Sequence, residues 1–143
     1  MSIKSAVYTA HAHTTGGRTG TSTTDDGRLT LTLDTPKALG GNDGAGTNPE
    51  QLFAAGYAAC FGSALALVAR KQKAPLSDSA IDATVELHPD GQGGFKLGVA
   101  LAVETKGIDQ ATADALVAAA HKVCPYSNAI KGNIDVALTA KAL

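Results

Sequence analysis

At 143 residues the chain is long enough for one domain with a modest core and too short for two ordinary ones. Its 44% hydrophobic and 17% charged residues are those of a folded globule and exclude a disordered segment. A net charge of −1, with lysines and arginines scattered, offers no basic stripe to a nucleic acid.

The N-terminal Met1-Ser2-Ile3-Lys4-Ser5-Ala6 lacks the apolar run of a secretory leader. No stretch reaches the ~18 uninterrupted apolar residues of a membrane span. The chain therefore reads as cytoplasmic. In a reducing compartment its two cysteines are poor candidates for a permanent staple. Buried thiols, metal ligands or redox catalysts are the remaining uses.

The first third predicts a meander of three strands. Ser5 to Thr15 alternates loosely, and Gly16-Gly17 is a turn signal. Arg18 to Thr24 reads as the return strand. Asp25-Asp26-Gly27 turns the chain again before the clean alternation of Leu29 to Leu33. A glycine-rich connection over Pro36 to Thr47 then leads into a strong helix start. Asn48 suits the N-cap, Pro49 the first helical position, and Glu50 the positive end of the dipole.

From Leu52 no breaker intervenes until Pro75. That allows roughly 24 residues of helix, about 36 Å long. Leu52 to Ala69 is apolar or small on nearly every face, which predicts a long buried central helix covered by sheet on one side and a partner on the other. The densest cationic run, Arg70-Lys71-Gln72-Lys73, suits the solvated C-terminal end of that helix.

Ile81 to Leu87 and Phe95 to Thr105 predict two strands, joined by Pro89-Asp90-Gly91-Gln92-Gly93-Gly94. Asp109 to Val123 predicts a second helix, with Leu116 and Val117 on its apolar side, ended or kinked by Pro125. Gly132-Asn133 turns into a last strand, Ile134 to Thr139. The order βββαββαβ describes a single α+β domain over residues 1–143.

Cys60 falls in the middle of the long helix and shares a face with Phe53, Gly56, Tyr57, Ser63, Ala64 and Leu67. From position alone an inert packed thiol is the commoner use of such a cysteine. The same holds for Cys124, where the second helix meets Pro125. A mid-helix thiol gains little from the dipole, and a C-terminal one is disfavoured as a thiolate. A nucleophilic role for either needs a cation from elsewhere. Arg18 is the attractive cation, against the plainer use of an arginine as a solvated strand end. Glu50 stabilises a helix start whether or not it has a further role.

Other chemistries are poorly supported. His11 and His13 share a strand face, but no CxxC or HExxH accompanies them as a metal motif. Gly41 to Asn48 has the glycines of a phosphate loop without its lysine. Gly62-Ser63-Ala64 lacks the nucleophile elbow of a serine hydrolase.

Two longer strings carry a resemblance. Thr47-Asn48-Pro49-Glu50-Gln51-Leu52-Phe53-Ala54-Ala55-Gly56-Tyr57-Ala58-Ala59-Cys60-Phe61 and Ala120-His121-Lys122-Val123-Cys124-Pro125-Tyr126-Ser127-Asn128-Ala129 resemble signatures of the Ohr/OsmC superfamily of thiol peroxidases. The wording around both cysteines is closer to the organic hydroperoxide resistance branch than to the osmotically inducible one. Tyr8-Thr9-Ala10, Gly16-Gly17-Arg18 and Leu39-Gly40-Gly41 match it as well. One departure is Ala129-Ile130-Lys131-Gly132-Asn133, where the family usually has Ala-Thr-Arg-Gly-Asn.

The resemblance implies a peroxidase in which Cys60 attacks the peroxide and becomes a sulfenic acid, and Cys124 condenses with it to a disulfide. It implies that Arg18 stabilises the Cys60 thiolate and that Glu50 holds Arg18. It implies organic hydroperoxide substrates, no bound cofactor, and recycling by a dithiol such as dihydrolipoamide or a lipoylated protein. Glu50 and Cys60 are ten residues apart, about 15 Å along one helix. If both serve one centre they come from different chains, which leads to an intertwined two-fold homodimer. Three alternatives stand beside this reading. They are an OsmC-type peroxidase of different peroxide preference, a redox-sensing module without turnover, and a structural dimer with inert cysteines.

Overall fold

The structure, a computed structural model, describes residues 5–143. The reading of Met1 to Lys4 as free of a leader lies outside them. Chain contacts define two compact units, one running to Pro49 and the other Glu50–Leu143.

The first unit is the expected meander. Strands β1 (Ala12–Thr15), β2 (Thr21–Thr24) and β3 (Thr30–Thr32) pair antiparallel in that order. β1 starts later than the sequence suggests, and Arg18 is not in a strand. It lies in a 3-10 turn over Gly17–Thr19, half-buried. Glycine backbone explains the difference. Gly16 and Gly17 both take positive φ (73° and 55°), and a Cβ at Gly20 would collide with the Thr15 carbonyl. The chain therefore turns over five residues before pairing resumes at Thr21. Beyond β3, Leu33 is buried and bridges to Thr47.

The glycine-rich connection has a structural use. Gly46 N–H donates to the Asp34 carboxylate at 2.5 Å, and Gly44 also packs against that carboxylate. The backbone donor that a phosphate loop would offer a ligand is thus taken by Asp34.

The second unit begins with helix α1 (Pro49–Lys71), which matches the expected start and length. A three-stranded sheet follows in the order β4 (Asp78–Pro89), β5 (Phe95–Lys106), β6 (Ala137–Ala142). β4 and β5 form a hairpin registered from Asp78↔Lys106 to Pro89↔Phe95. Its turn is closed by Asp90 Oδ1, which accepts from Gln92 N (2.7 Å) and Gly94 N (2.9 Å). β6 runs parallel to β5, so the chain crosses over through helices α2 (Gln110–Val123) and α3 (Pro125–Ile130).

Two details of the crossover differ from expectation. A short third helix, α3, follows Pro125, and the last strand starts three residues late, at Ala137. Ile130 O accepts from both Asn133 N and Ile134 N at 3.0 Å, so Ile134 still belongs to the helix exit. Pairing begins only where Ala137 meets Ala100. Asp109 caps α2 by accepting from Thr112 N at 2.8 Å, as a helix start requires. Gln110 ties that start to β6 through Ala140 O (3.0 Å) and Ala142 N (2.9 Å).

The core of this unit joins one face of α1 (Tyr57, Phe61, Leu65, Val68) to Val99, Leu101 and Val103 of β5 and to Leu116, Val117 and Ala120 of α2. The α1 face is not buried all round. Ala55, Ala59, Ser63 and Leu67, four residues apart, form an exposed stripe. By length and composition α1 also passes as a membrane-crossing helix, which counting uninterrupted apolar residues had excluded. Its Tyr57–Ala69 side is nevertheless core.

Candidate active site

The two cysteines meet at a corner built by proline. α2 ends at Val123, and Cys124 N–H still closes its last turn on Ala120 O at 2.9 Å. Cys124 itself is extended (φ −63°, ψ 123°), because the residue before a proline is pushed out of the helical region. Pro125 then opens α3 at the first helical position, where its missing N–H costs nothing. Asn128 N–H closes the first turn on Cys124 O at 3.0 Å. The corner turns the Cys124 side chain fully into the core, beside α1.

Cys60 waits there, half-buried on α1, and the two sulfurs lie 3.6 Å apart with both thiols free. Tyr126 backbone N–H donates to the Cys60 sulfur and favours its thiolate. Burial acts the other way and dominates: it pushes the Cys60 thiol above its ordinary value, and the neighbouring Cys124 adds to the rise. A working thiolate at neutral pH thus needs a further positive charge.

An aromatic group borders the thiols. Phe53, Tyr57 and Tyr126 have ring centroids 5.8–6.1 Å apart in tilted and edge-on contacts. Gly56 makes room for this arrangement: a Cβ there would stand 2.8 Å from the Tyr126 hydroxyl oxygen. Tyr57 is fully buried, its hydroxyl 2.6 Å from Ser127 Oγ, and Ser127 Oγ is 2.8 Å from His121 Nδ1. Burial raises the Tyr57 pKa.

The structure brings Cys60 and Cys124 together but not Cys60 and Glu50 of the same chain. Glu50 sits in the first turn of α1, ten residues and about 15 Å from Cys60 along the axis. Arg18 belongs to the other unit. Sequence reasoning missed the Tyr126 N–H that faces Cys60, and missed Ser127 and His121 as the hydrogen-bonded groups that follow Tyr57. The signal available was proximity in sequence: His121 and Ser127 stand three residues before and three residues after Cys124. Among the described residues no cluster of three or more His, Cys, Asp or Glu forms a metal site.

Residues 40–139 match the family described as OsmC-like protein. The chain is 51% identical over 141 residues to an organic hydroperoxide resistance protein of Xanthomonas axonopodis pv. citri, covering 96% of this chain and 97% of that one. It is 51% identical over 137 residues to the organic hydroperoxide resistance protein OhrB of Bacillus subtilis, covering 95% and 99%. In three dimensions it is similar to an organic hydroperoxide resistance protein from Legionella pneumophila, with a TM-score of 0.93, 54% identity and coverage of 96% and 99%. The chain belongs to the OsmC-like protein family, and within it to the organic hydroperoxide resistance branch.

Proposed function

We propose that the chain detoxifies organic hydroperoxides as a two-cysteine thiol peroxidase. The Cys60 thiolate attacks the distal peroxide oxygen. The O–O bond breaks, an S–O bond forms, and the alkoxide leaves as the alcohol after taking up a proton. The Cys124 sulfur then attacks the sulfenic sulfur of Cys60 and displaces hydroxide, which leaves as water. The resulting disulfide is reduced by a dithiol such as dihydrolipoamide or a lipoylated protein, and no resident cofactor takes part.

The 3.6 Å separation of the two sulfurs is the observation that carries this reading. A second thiol at that distance traps a sulfenic acid before irreversible oxidation. The names of the relatives support a peroxide substrate. Phe53, Tyr57 and Tyr126 make the surroundings suit an alkyl or fatty-acyl chain better than hydrogen peroxide.

Arg18 supplies the missing positive charge, with its fork suited to a thiolate and a peroxide oxygen together. Glu50 holds that fork. Because Glu50 and Cys60 of one chain are so far apart, Glu50 serves the partner's centre in an intertwined homodimer. The exposed stripe Ala55, Ala59, Ser63 and Leu67 of α1 is a suitable apolar surface for the second copy. The whole chain works as one domain, in the cytoplasm. One observation favours a second reading: the upward push that burial exerts on Cys60 suits an inert packed thiol in a structural dimer.

The test is turnover of an alkyl hydroperoxide with dihydrolipoamide by wild type, Cys60→Ser and Cys124→Ser. The peroxidase reading expects many turnovers in wild type, none in Cys60→Ser, and a single stoichiometric turnover in Cys124→Ser. A wild type that stops after one equivalent is a sensor. Full turnover by Cys60→Ser makes Cys60 a packing residue.

A further inference from the structure

Three polar groups in the second unit lie in a line that the two thiols alone do not explain. The Tyr57 hydroxyl meets Ser127 Oγ at 2.6 Å, and Ser127 Oγ meets His121 Nδ1 at 2.8 Å. Tyr57 is 0% exposed and Ser127 3%. His121 is half-buried and lines a cavity of about 320 Å³, together with Lys122, Ser127, Lys131 and Asp135. At the inner end Tyr57 is about one helical turn before Cys60 on α1, in the same buried cluster as Cys124.

We propose that Tyr57, Ser127 and His121 form a proton path from the thiol pair to the cavity, with His121 as the positioning residue at its outer end. This rests on the peroxidase reading. Each hydroxyl both donates and accepts, so the line can turn over in either direction. If His121 Nδ1 accepts, Ser127 donates to it and Tyr57 donates to Ser127. If Nδ1 carries a proton, Ser127 accepts from it and donates to Tyr57, whose own proton is released toward the sulfurs. Nε2 exchanges with the cavity.

The chemistry needs such a route. Forming the Cys60 thiolate sends one proton out. Cleavage of the O–O bond then oxidises sulfur by two electrons and leaves an alkoxide, which takes one proton back. In the second step Cys124 gives up a proton, an S–S bond replaces the S–O bond, and the departing hydroxide takes that proton to become water. The dithiol returns two electrons and two protons to the pair. The charged groups around His121 bear on its exchange: Lys122 beside it on α2, Lys131 after α3, and Asp135 on the following segment.

The experiment compares wild type, Ser127→Ala, Tyr57→Phe and His121→Ala, using an alkyl hydroperoxide and dihydrolipoamide. General acid–base assistance is worth about 100-fold or more, and a relayed proton less. The expected loss is about tenfold in kcat for Ser127→Ala and His121→Ala, with KM unchanged. Added imidazoles should restore His121→Ala at rates that follow their basicity. Rescue indifferent to basicity would mean that the ring only fills space, and would overturn the path. Wild-type kcat in all three variants would also overturn it.

Nuclear magnetic resonance provides a readout that needs no turnover. The ¹⁵N resonances of His121 should differ between the reduced protein and protein oxidised by diamide. The difference should vanish in Ser127→Ala. Coincident resonances in the two wild-type forms would sink the path even if peroxide is turned over. An inactive wild type whose His121 still senses the thiols would sink the peroxidase reading alone.

Discussion

The sulfurs of Cys60 and Cys124 lie 3.6 Å apart across 64 residues of sequence, one on a 23-residue helix and the other at a proline corner. To bond they must approach by about 1.5 Å, to a length of about 2.05 Å. One equivalent of alkyl hydroperoxide should therefore yield a disulfide within one chain. Mass spectrometry of the non-reduced digest should find a peptide pair joining Cys60 to Cys124, with no interchain species on a non-reducing gel. A link between chains would remove the resolving role from Cys124 of the same chain.

Burial drives the Cys60 thiol upward and Tyr126 N–H opposes it only in part. If Arg18 supplies the balance, the alkylation rate of Cys60 in wild type should rise at a pH below the ordinary thiol value of about 8.5. Arg18→Ala should move that profile above it, and Arg18→Lys should fall between, having charge without the fork. The measurement is iodoacetamide labelling against pH with Cys124 replaced by serine. Coincident profiles for wild type and Arg18→Ala would detach Arg18 from the thiolate.

Gly56 is where the Tyr126 ring comes closest to α1. Gly56→Ala gains helix propensity, about 1 kcal/mol, and its Cβ, 2.8 Å from the Tyr126 hydroxyl, displaces a ring that is 38% exposed and free to swing outward. Tyr126 also carries the N–H that faces Cys60. The substitution should slow Cys60 alkylation at neutral pH while leaving the urea midpoint no lower. Unchanged labelling would show that the ring moves without its N–H.

Asp109 caps α2, the helix that delivers Cys124, and its carboxyl is held below the usual range by the Thr112 hydrogen bonds. A folded pKa below the unfolded one means that this contribution is present above the unfolded value, near pH 3.9, and is lost as pH falls through the folded value. Asp109→Ala should thus lower the thermal midpoint at neutral pH. The gap to wild type should close as pH falls below about 3.9. Asp109→Asn, which still caps, should lose less. A gap independent of pH would assign the effect to packing.

Local chemistry made several features legible from sequence alone. Pro49 and Glu50 open α1 as read, since a proline at the first helical position and an early carboxylate act within a single turn. The meander, the hairpin turn at Asp90 and the break at Pro125 depend on two to five neighbouring residues, and they stand close to where composition put them. Boundaries failed where a glycine or a helix exit overrode alternation, as at Gly16-Gly17 and at Ile134.

Only the tertiary structure decided what surrounds the thiols. Cys60 and Cys124 are 64 residues apart, and Tyr57 and Ser127 are 70. No periodicity or motif in either segment specifies such a pairing without the resemblance to a family. Cys124 turns inward because Pro125 forbids it a helical backbone and the β5–β6 crossover lays α2 and α3 against α1. The exposed stripe on α1 follows from the same packing. Its composition is apolar on nearly every side, but one sheet and one pair of helices can cover only one face of a cylinder.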